Sequence, residues 1–199
     1  FDNLGDERWQ GFTLDGASDE TEFQYVRISG AEKDDGGGMY LGGSNPTLTH
    51  VTIANNTAGG NGGGMRLYYS NPTLTHVNIS NNTAHHGGGM RLYYSNPTLN
   101  HVTINGNTAE SWSGGMGLYI SNPTLNHVTI SGNTATNQGG GMRLKNSNPT
   151  LTNSIIWNNS PQSIYLHGVG GGTEEPIITY SDIEGGWEGE GNIDADPLL

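Results

Sequence analysis

Arginines and aromatic residues recur at matched places along this 199-residue chain. Arg66, Arg91 and Arg143 each follow a methionine, and Tyr40 and Gly117 fill the same place in two further segments. Two residues later stand Tyr68, Tyr93, Tyr119 and Lys145, while Trp112 lies in the stretch leading into Met116. On a β-strand residues i and i+2 share a face, so both columns belong to one surface. Guanidinium groups read carboxylates and other oxyanions bidentately, and Tyr and Trp offer broad apolar area with a polar tip. The chemistry available is recognition of a carbohydrate or acidic polymer. The plainer alternative is a solvated face on which stacked tyrosines compensate the arginines.

A second column holds Tyr25, His50, His76, His101, His127, Asn153 and Tyr180. Stacked imidazoles suit a soft divalent metal. Each histidine also falls between two apolar positions that point inward, such as Leu74 and Val77, which places it at a bend where stacking alone explains it. His85 and His86 read as an exposed pair in a corner loop. Asp182, Asp194 and Asp196 in the acidic C-terminal stretch are oxygen ligands that suit calcium, without the spacing of an EF-hand. A solvated acidic cap is the competing reading. No cofactor is required by any motif.

The elements that must position these columns emerge from self-comparison. GGGMYLGGSNPTLTHVTIANNTA, GGGMRLYYSNPTLTHVNISNNTA, GGGMRLYYSNPTLNHVTINGNTA, GGMGLYISNPTLNHVTISGNTA and GGGMRLKNSNPTLTNSIIWNNS are copies of one unit, with Met39, Met65, Met90, Met116 and Met142 spaced 25 or 26 residues apart. Within a unit, Met65 and Leu67 alternate with Arg66 and Tyr68, Thr73 and Thr75 flank Leu74, and Val77 and Ile79 flank Asn78. This period-2 pattern predicts three short strands per unit. A propeller blade needs about 40 residues, so the unit is one coil of a three-sided parallel β-solenoid. GFTL with EFQYVRISG, and IYLH with PIITYSDIEGG, extend the register as degenerate coils, for about seven in all. One domain is expected over 1–199: a degenerate N-terminal coil at 1–35, regular repeats at 36–160, and a degenerate C-terminal coil with an acidic tail at 161–199.

In such a solenoid each column is a ladder. Asn56, Asn82, Asn107, Asn133 and Asn159 form an unbroken one, suited to axial amide hydrogen bonds and to a left-handed corner. The glycines before each methionine serve another corner. Thr47/Thr49, Thr73/Thr75, Thr98/Asn100, Thr124/Asn126 and Thr150/Thr152 make an uncharged Thr-x-Thr face, similar to the flat faces of β-solenoid antifreeze proteins, with a preceding proline that would roughen the plane.

Composition closes other routes. The absence of cysteine excludes a disulfide scaffold, a zinc ribbon and a thiol nucleophile. No apolar run is long enough for a membrane-spanning helix. A net charge of −12 disfavours nucleic acid and anionic membranes. That charge is divided: residues 1–35 carry −7, 36–172 carry +3 and 173–199 carry −8. Because the repeats offer only Glu110, the paired carboxylates of glycoside hydrolysis are missing there. Uronate lyase chemistry, which can use Arg, Lys, Tyr or His, stays open. The chain starts at Phe1 and reads as a processed or excised piece of something longer.

GGGMRL, NPTLTHVTI and the I-x-x-N corners (Ile53 to Asn56, Ile79 to Asn82) resemble the right-handed parallel β-helix superfamily. They are similar to the repeats of polymorphic outer-membrane proteins and related bacterial surface proteins, and the segment YSDIEGGWEGEGNIDADPLL resembles the close of large secreted β-helix proteins. The resemblance implies an all-β, right-handed, three-sided parallel β-helix, extracellular or at the cell surface. No lyase or hydrolase active-site motif maps onto this chain, nor does the calcium-binding G-G-x-G-x-D nonapeptide. The expected function is a non-enzymatic structural, adhesive or assembly module, associating with itself or with parent-chain coils at its ends. The alternatives are an acidic-polysaccharide-binding or lyase domain using the Arg/Tyr face, and ice binding through the Thr-x-Thr face.

Overall fold

The computed structural model describes residues 8–168 and 174–199. The strands are three to five residues long, apart from two of two residues, and all pairing between named strands is parallel. Each coil contributes one strand to each of three seven-stranded sheets, and consecutive coils neighbour one another in every sheet. Seven coils follow, as the repeat count predicts. The first sheet runs from Phe12–Asp15 through Met65–Tyr68 and Met90–Tyr93 to Ile164–Leu166. The second runs from Glu22–Gln24 to Ile177–Thr179, and the third from Arg27–Ser29 to Asp182–Ile183. Among the described residues no helix is long and apolar enough to cross a membrane.

Register follows the repeat. Met90 lies beside Met65 and Met116, Leu74 beside Leu48 and Leu99, and Ile79 beside Ile53 and Ile104. These columns, with Val51, Val77, Val102 and Val128, are within 2% of complete burial and form one continuous core. The degenerate coils dock as expected, Phe12 against Met39 and Ile164 against Met142.

A fourth sheet of five strands, absent from the three-strand expectation, fills the side before the glycines: Glu32–Asp35, Thr57–Asn61, Thr83–His86, Thr108–Trp112 and Thr134–Ala135. Its signal in sequence is one small inward residue per regular coil, Ala58, Ala84, Ala109 or Ala135, too weak to register as alternation. His85 and His86 therefore stand in a strand, not a corner loop. This sheet also absorbs the change between 25 and 26 residues: Ala84 pairs with Ala58 but His86 pairs with Asn61, a bulge that leaves the other sheets in step.

Two polar ladders hold the corners. Asn107 Nδ2 donates to Asn133 Oδ1 at 2.9 Å and to the Ile79 carbonyl at 2.9 Å, while Asn107 Oδ1 accepts from the backbone N–H and Nδ2 of Asn82. The pattern repeats from Asn56 to Asn133. The left-handed residue, however, is the one before it, at Asn55, Asn81, Gly106, Gly132 and Asn158. The buried asparagine is free to turn its amide inward because its neighbour takes the bend. Ser44, Ser70, Ser95, Ser121 and Ser147 form a second buried ladder, each of the first four donating its backbone N–H to the next hydroxyl.

The glycine corner divides its labour. Gly62 and Gly87 take φ of 68°, whereas Gly63 is excluded from bearing a side chain by space, since a Cβ there would lie 2.5 Å from the carbonyl oxygens of Gly88 and Thr83. At the C-terminal end the tail folds back on the last coil: Ile193 N–H donates to the Ser181 carbonyl, Ile183 N–H to the Ile193 carbonyl, and Tyr180 N–H to the Glu190 carbonyl. Asn192 Oδ1 accepts from Ser181 N–H, as Ser181 Oγ accepts from Ser154 N–H one coil earlier. This tail covers part of the edge that a terminal coil otherwise leaves unpaired. At the other end Trp9, Phe12 and Phe23 pack edge-to-face over the core.

Candidate binding cleft

Where the fourth sheet turns into the first, three ladders run side by side. The end of the fourth sheet supplies Asp35, Asn61, His86, Trp112 and Gln138 as one column. Past the glycine corner, the first sheet supplies Tyr40, Arg66, Arg91, Gly117, Arg143 and Tyr165. Two residues further lie Tyr68, Tyr93, Tyr119 and Lys145. All nine residues singled out in the sequence for the Arg/Tyr face thus lie on one side of the molecule. Trp112 is the last residue of a strand, not part of a loop. An open cleft of ≈ 420 Å³ is lined by Arg91, Tyr93, Trp112, Tyr119, Gln138, Arg143, Lys145 and His167.

Aromatic stacking builds both walls. Tyr68, Tyr93 and Tyr119 stack in succession at 5.6 and 4.6 Å, and Lys145 lies 5.3 Å from the Tyr119 ring centre. Opposite, His86 stacks on Trp112 at 4.4 Å, and the Arg143 guanidinium lies 4.9 Å from the Trp112 ring. Each stack presents a continuous aromatic surface from coil to coil.

The arginines of the floor differ in their partners. Arg66 forms an ion pair with Asp35, whose other oxygen accepts from Asn61 N–H and Nδ2. That carboxylate comes from the N-terminal acidic segment, outside the regular repeats. Arg143 donates Nε–H to Gln138 Oε1 at 3.2 Å and meets His167 Nδ1 at 2.6 Å through Nη2. Among the described residues no carboxylate pairs with Arg91 or Arg143. Burial, reinforced by the like charges of Arg143 and Arg66, lowers the Arg91 pKa to about 10. Burial also lowers that of Arg143. His86 is pushed down to about 4, first by burial and then by His85, Arg91 and Arg143, so it is neutral near pH 7. Its Nδ1 and the Ser113 hydroxyl are buried without hydrogen-bond partners. His86 and His167 were absent from the sequence-level site; only the fourth strand and the last coil bring them here.

The remaining sequence candidates lie elsewhere. Asp182 Oδ1 accepts from Ala195 N–H, Asp194 Oδ1 from Gly185 N–H and Asp196 Oδ1 from Leu198 N–H, so each carboxylate stabilises a turn of the tail. Among the described residues no three His, Asp or Glu converge as a metal-binding group. His50, His76, His101 and His127 all take φ of 53° or 54°, which places them at the expected bend.

The family model of the right-handed β-helix region matches residues 10–174. Comparisons with curated proteins and with solved structures find no match. With its parallel sheets in coil-by-coil register and most of its length matched, the chain belongs to the right-handed β-helix family.

Proposed function

We propose that this β-helix is a non-catalytic adhesive module, working outside the cell or at its surface, that binds an extended acidic polysaccharide along the Arg–Tyr–Trp cleft. The observation that carries this reading is that Arg143, buried, and Arg91, half-buried, have no carboxylate partner among the described residues. A buried charge lacking a counter-charge is costly, and an anionic ligand supplies the missing one. The stacked tyrosines on one wall and Trp112 on the other give a sugar ring apolar contact. The parallel ladders continue along the rod, which suits a polymer better than a compact ligand.

Affinity electrophoresis and calorimetry against polygalacturonate, alginate and sulfated glycosaminoglycans test the proposal, with a neutral glucan as control. Binding to at least one polyanion, weakened by salt and by Arg91→Ala with Arg143→Ala, is expected. Failure to bind any of them, or equal binding of the neutral polymer, overturns it. Ultraviolet absorbance of unsaturated products during the same incubations distinguishes a lyase from a binder.

Ice binding by the Thr-x-Thr face is a second reading. Pro46, Pro72, Pro97, Pro123 and Pro149 are all buried, so their rings do not project from the threonine face. Thermal hysteresis abolished by Thr73→Tyr supports that reading; an absence of hysteresis removes it.

A further inference from the structure

The histidine ladder lies on a corner remote in sequence pattern from the cleft, between the second and third sheets. Its four imidazoles are solvent-exposed and stacked in line, His50 on His76 at 4.8 Å, His76 on His101 at 5.0 Å and His101 on His127 at 4.8 Å. Each occupies the left-handed region, which costs an L-residue roughly 1–2 kcal/mol. The fold does not need histidine there. Asn153 holds the same column position at φ 52°, and the bends before the asparagine ladder use Asn55, Asn81, Gly106, Gly132 and Asn158. Tyr25 and Tyr180 hold the same column at φ 52° and 50°, and Tyr25 stacks on His50 at 5.0 Å, so the bend accepts flat side chains generally; what four consecutive histidines add is a row of ligating ring nitrogens.

We propose that adjacent rungs of this ladder form two-histidine chelate sites for a first-row divalent transition metal ion, with Cu²⁺ held tightest. Imidazole nitrogen is a preferred ligand for Cu²⁺, Ni²⁺ and Zn²⁺, and affinity rises to a maximum at Cu²⁺. Metal–nitrogen bonds of about 2.0–2.1 Å place two ligating nitrogens roughly 3 Å apart. Rings stacked at 4.8–5.0 Å bring two nitrogens within reach of one metal, and their in-plane lone pairs converge on it once each ring tilts by roughly 45° out of the stack, a rotation open to an exposed side chain. The rigid backbone ladder holds the pair at chelating distance, so the second bond forms at high effective concentration. A third ring in line is too far away to join, and water completes the coordination. The sites are pairs, and adjacency, not the number of histidines, sets the affinity.

Two double variants separate these quantities while removing the same number of imidazoles. His50→Asn with His127→Asn keeps the neighbouring His76 and His101. His76→Asn with His127→Asn keeps His50 and His101, which are two coils apart. Asparagine is tolerated at this bend, as Asn153 shows, and circular dichroism confirms that each variant is folded. In Cu²⁺ calorimetry the pair-keeping variant is expected to bind within about threefold of the unmodified chain, and the pair-breaking variant at least about tenfold more weakly. Electron paramagnetic resonance of the pair-keeping variant shows coupling to two imidazole nitrogens at the high-affinity copper. A variant with all four histidines changed to asparagine gives the background from His85, His86 and His167. Equal affinities in the two double variants, or no copper binding above that background, overturns the proposal.

Discussion

The Arg91 guanidinium lies over Gly117 of the next coil, its Nη1 2.7 Å from the point at which a Gly117 side chain would begin. Ser113 Oγ is equally close to that point. Gly117 interrupts the arginine column, and its missing side chain is the room into which Arg91 leans toward Arg143. The floor of the cleft is therefore shaped by a side chain that is not there.

Gly117→Ala is expected to push Arg91 aside and crowd Ser113. Overpacking of this size costs about 1 kcal/mol of stability, measured by urea denaturation. Polyanion affinity should fall by about tenfold, because the two guanidinia no longer converge. Unchanged affinity would show that Arg91 does not act from this position.

Breaking the amide ladder should be far more damaging to the fold. Asn107→Ala removes the acceptor used by two Asn82 donors and the donor to the Ile79 carbonyl, all buried. Each orphaned group costs about 1–3 kcal/mol, so a loss of at least about 3 kcal/mol is expected by chemical denaturation.

Alanine at two glycines should separate space from conformation. Gly88→Ala would place a Cβ 2.4 Å from the Thr108 carbonyl oxygen, a backbone atom that cannot swing away. Gly43, at φ 55°, has open space around it, so its alanine variant carries only the left-handed cost of about 1–2 kcal/mol. Thermal melts should rank Gly88→Ala well below Gly43→Ala.

Acidification should weaken the fold through His86. Its pKa is lowered to about 4 in the folded chain against 6.5 for a free histidine. Between those values the unfolded chain binds the extra proton, so stability falls as pH drops from 6.5 toward 4. His86→Asn, which copies Asn61 of the same column, should flatten that part of the pH dependence of the melting temperature. An unchanged slope would show that His86 does not contribute to it.

The architecture was legible because stacking translates sequence period directly into space. Once Met65, Met90 and Met116 are equivalent in sequence, parallel register makes them neighbours, and the inward columns, the amide ladder and the histidine bend all follow. The Arg/Tyr face was legible for the same reason, since period-2 alternation assigns Arg66 and Tyr68 to one side. What was not legible belongs to the corners. Ala58 and Ala84 alone do not announce a fourth strand, and Asn55 and Asn56 exchange roles only when the backbone shows which one bends.

The repeat, the coil count and the outward columns depend only on periodicity, so the order of residues is enough to specify them. Tertiary structure decided which columns face one another. The turn at Gly62 and Gly87 sets His86 and Trp112 beside Arg91 and Arg143, brings Asp35 to Arg66, and leaves Arg91 without a counter-charge among the described residues. Those relationships run between neighbouring sheets and coils, so they depend on corner geometry, which no spacing within one repeat encodes.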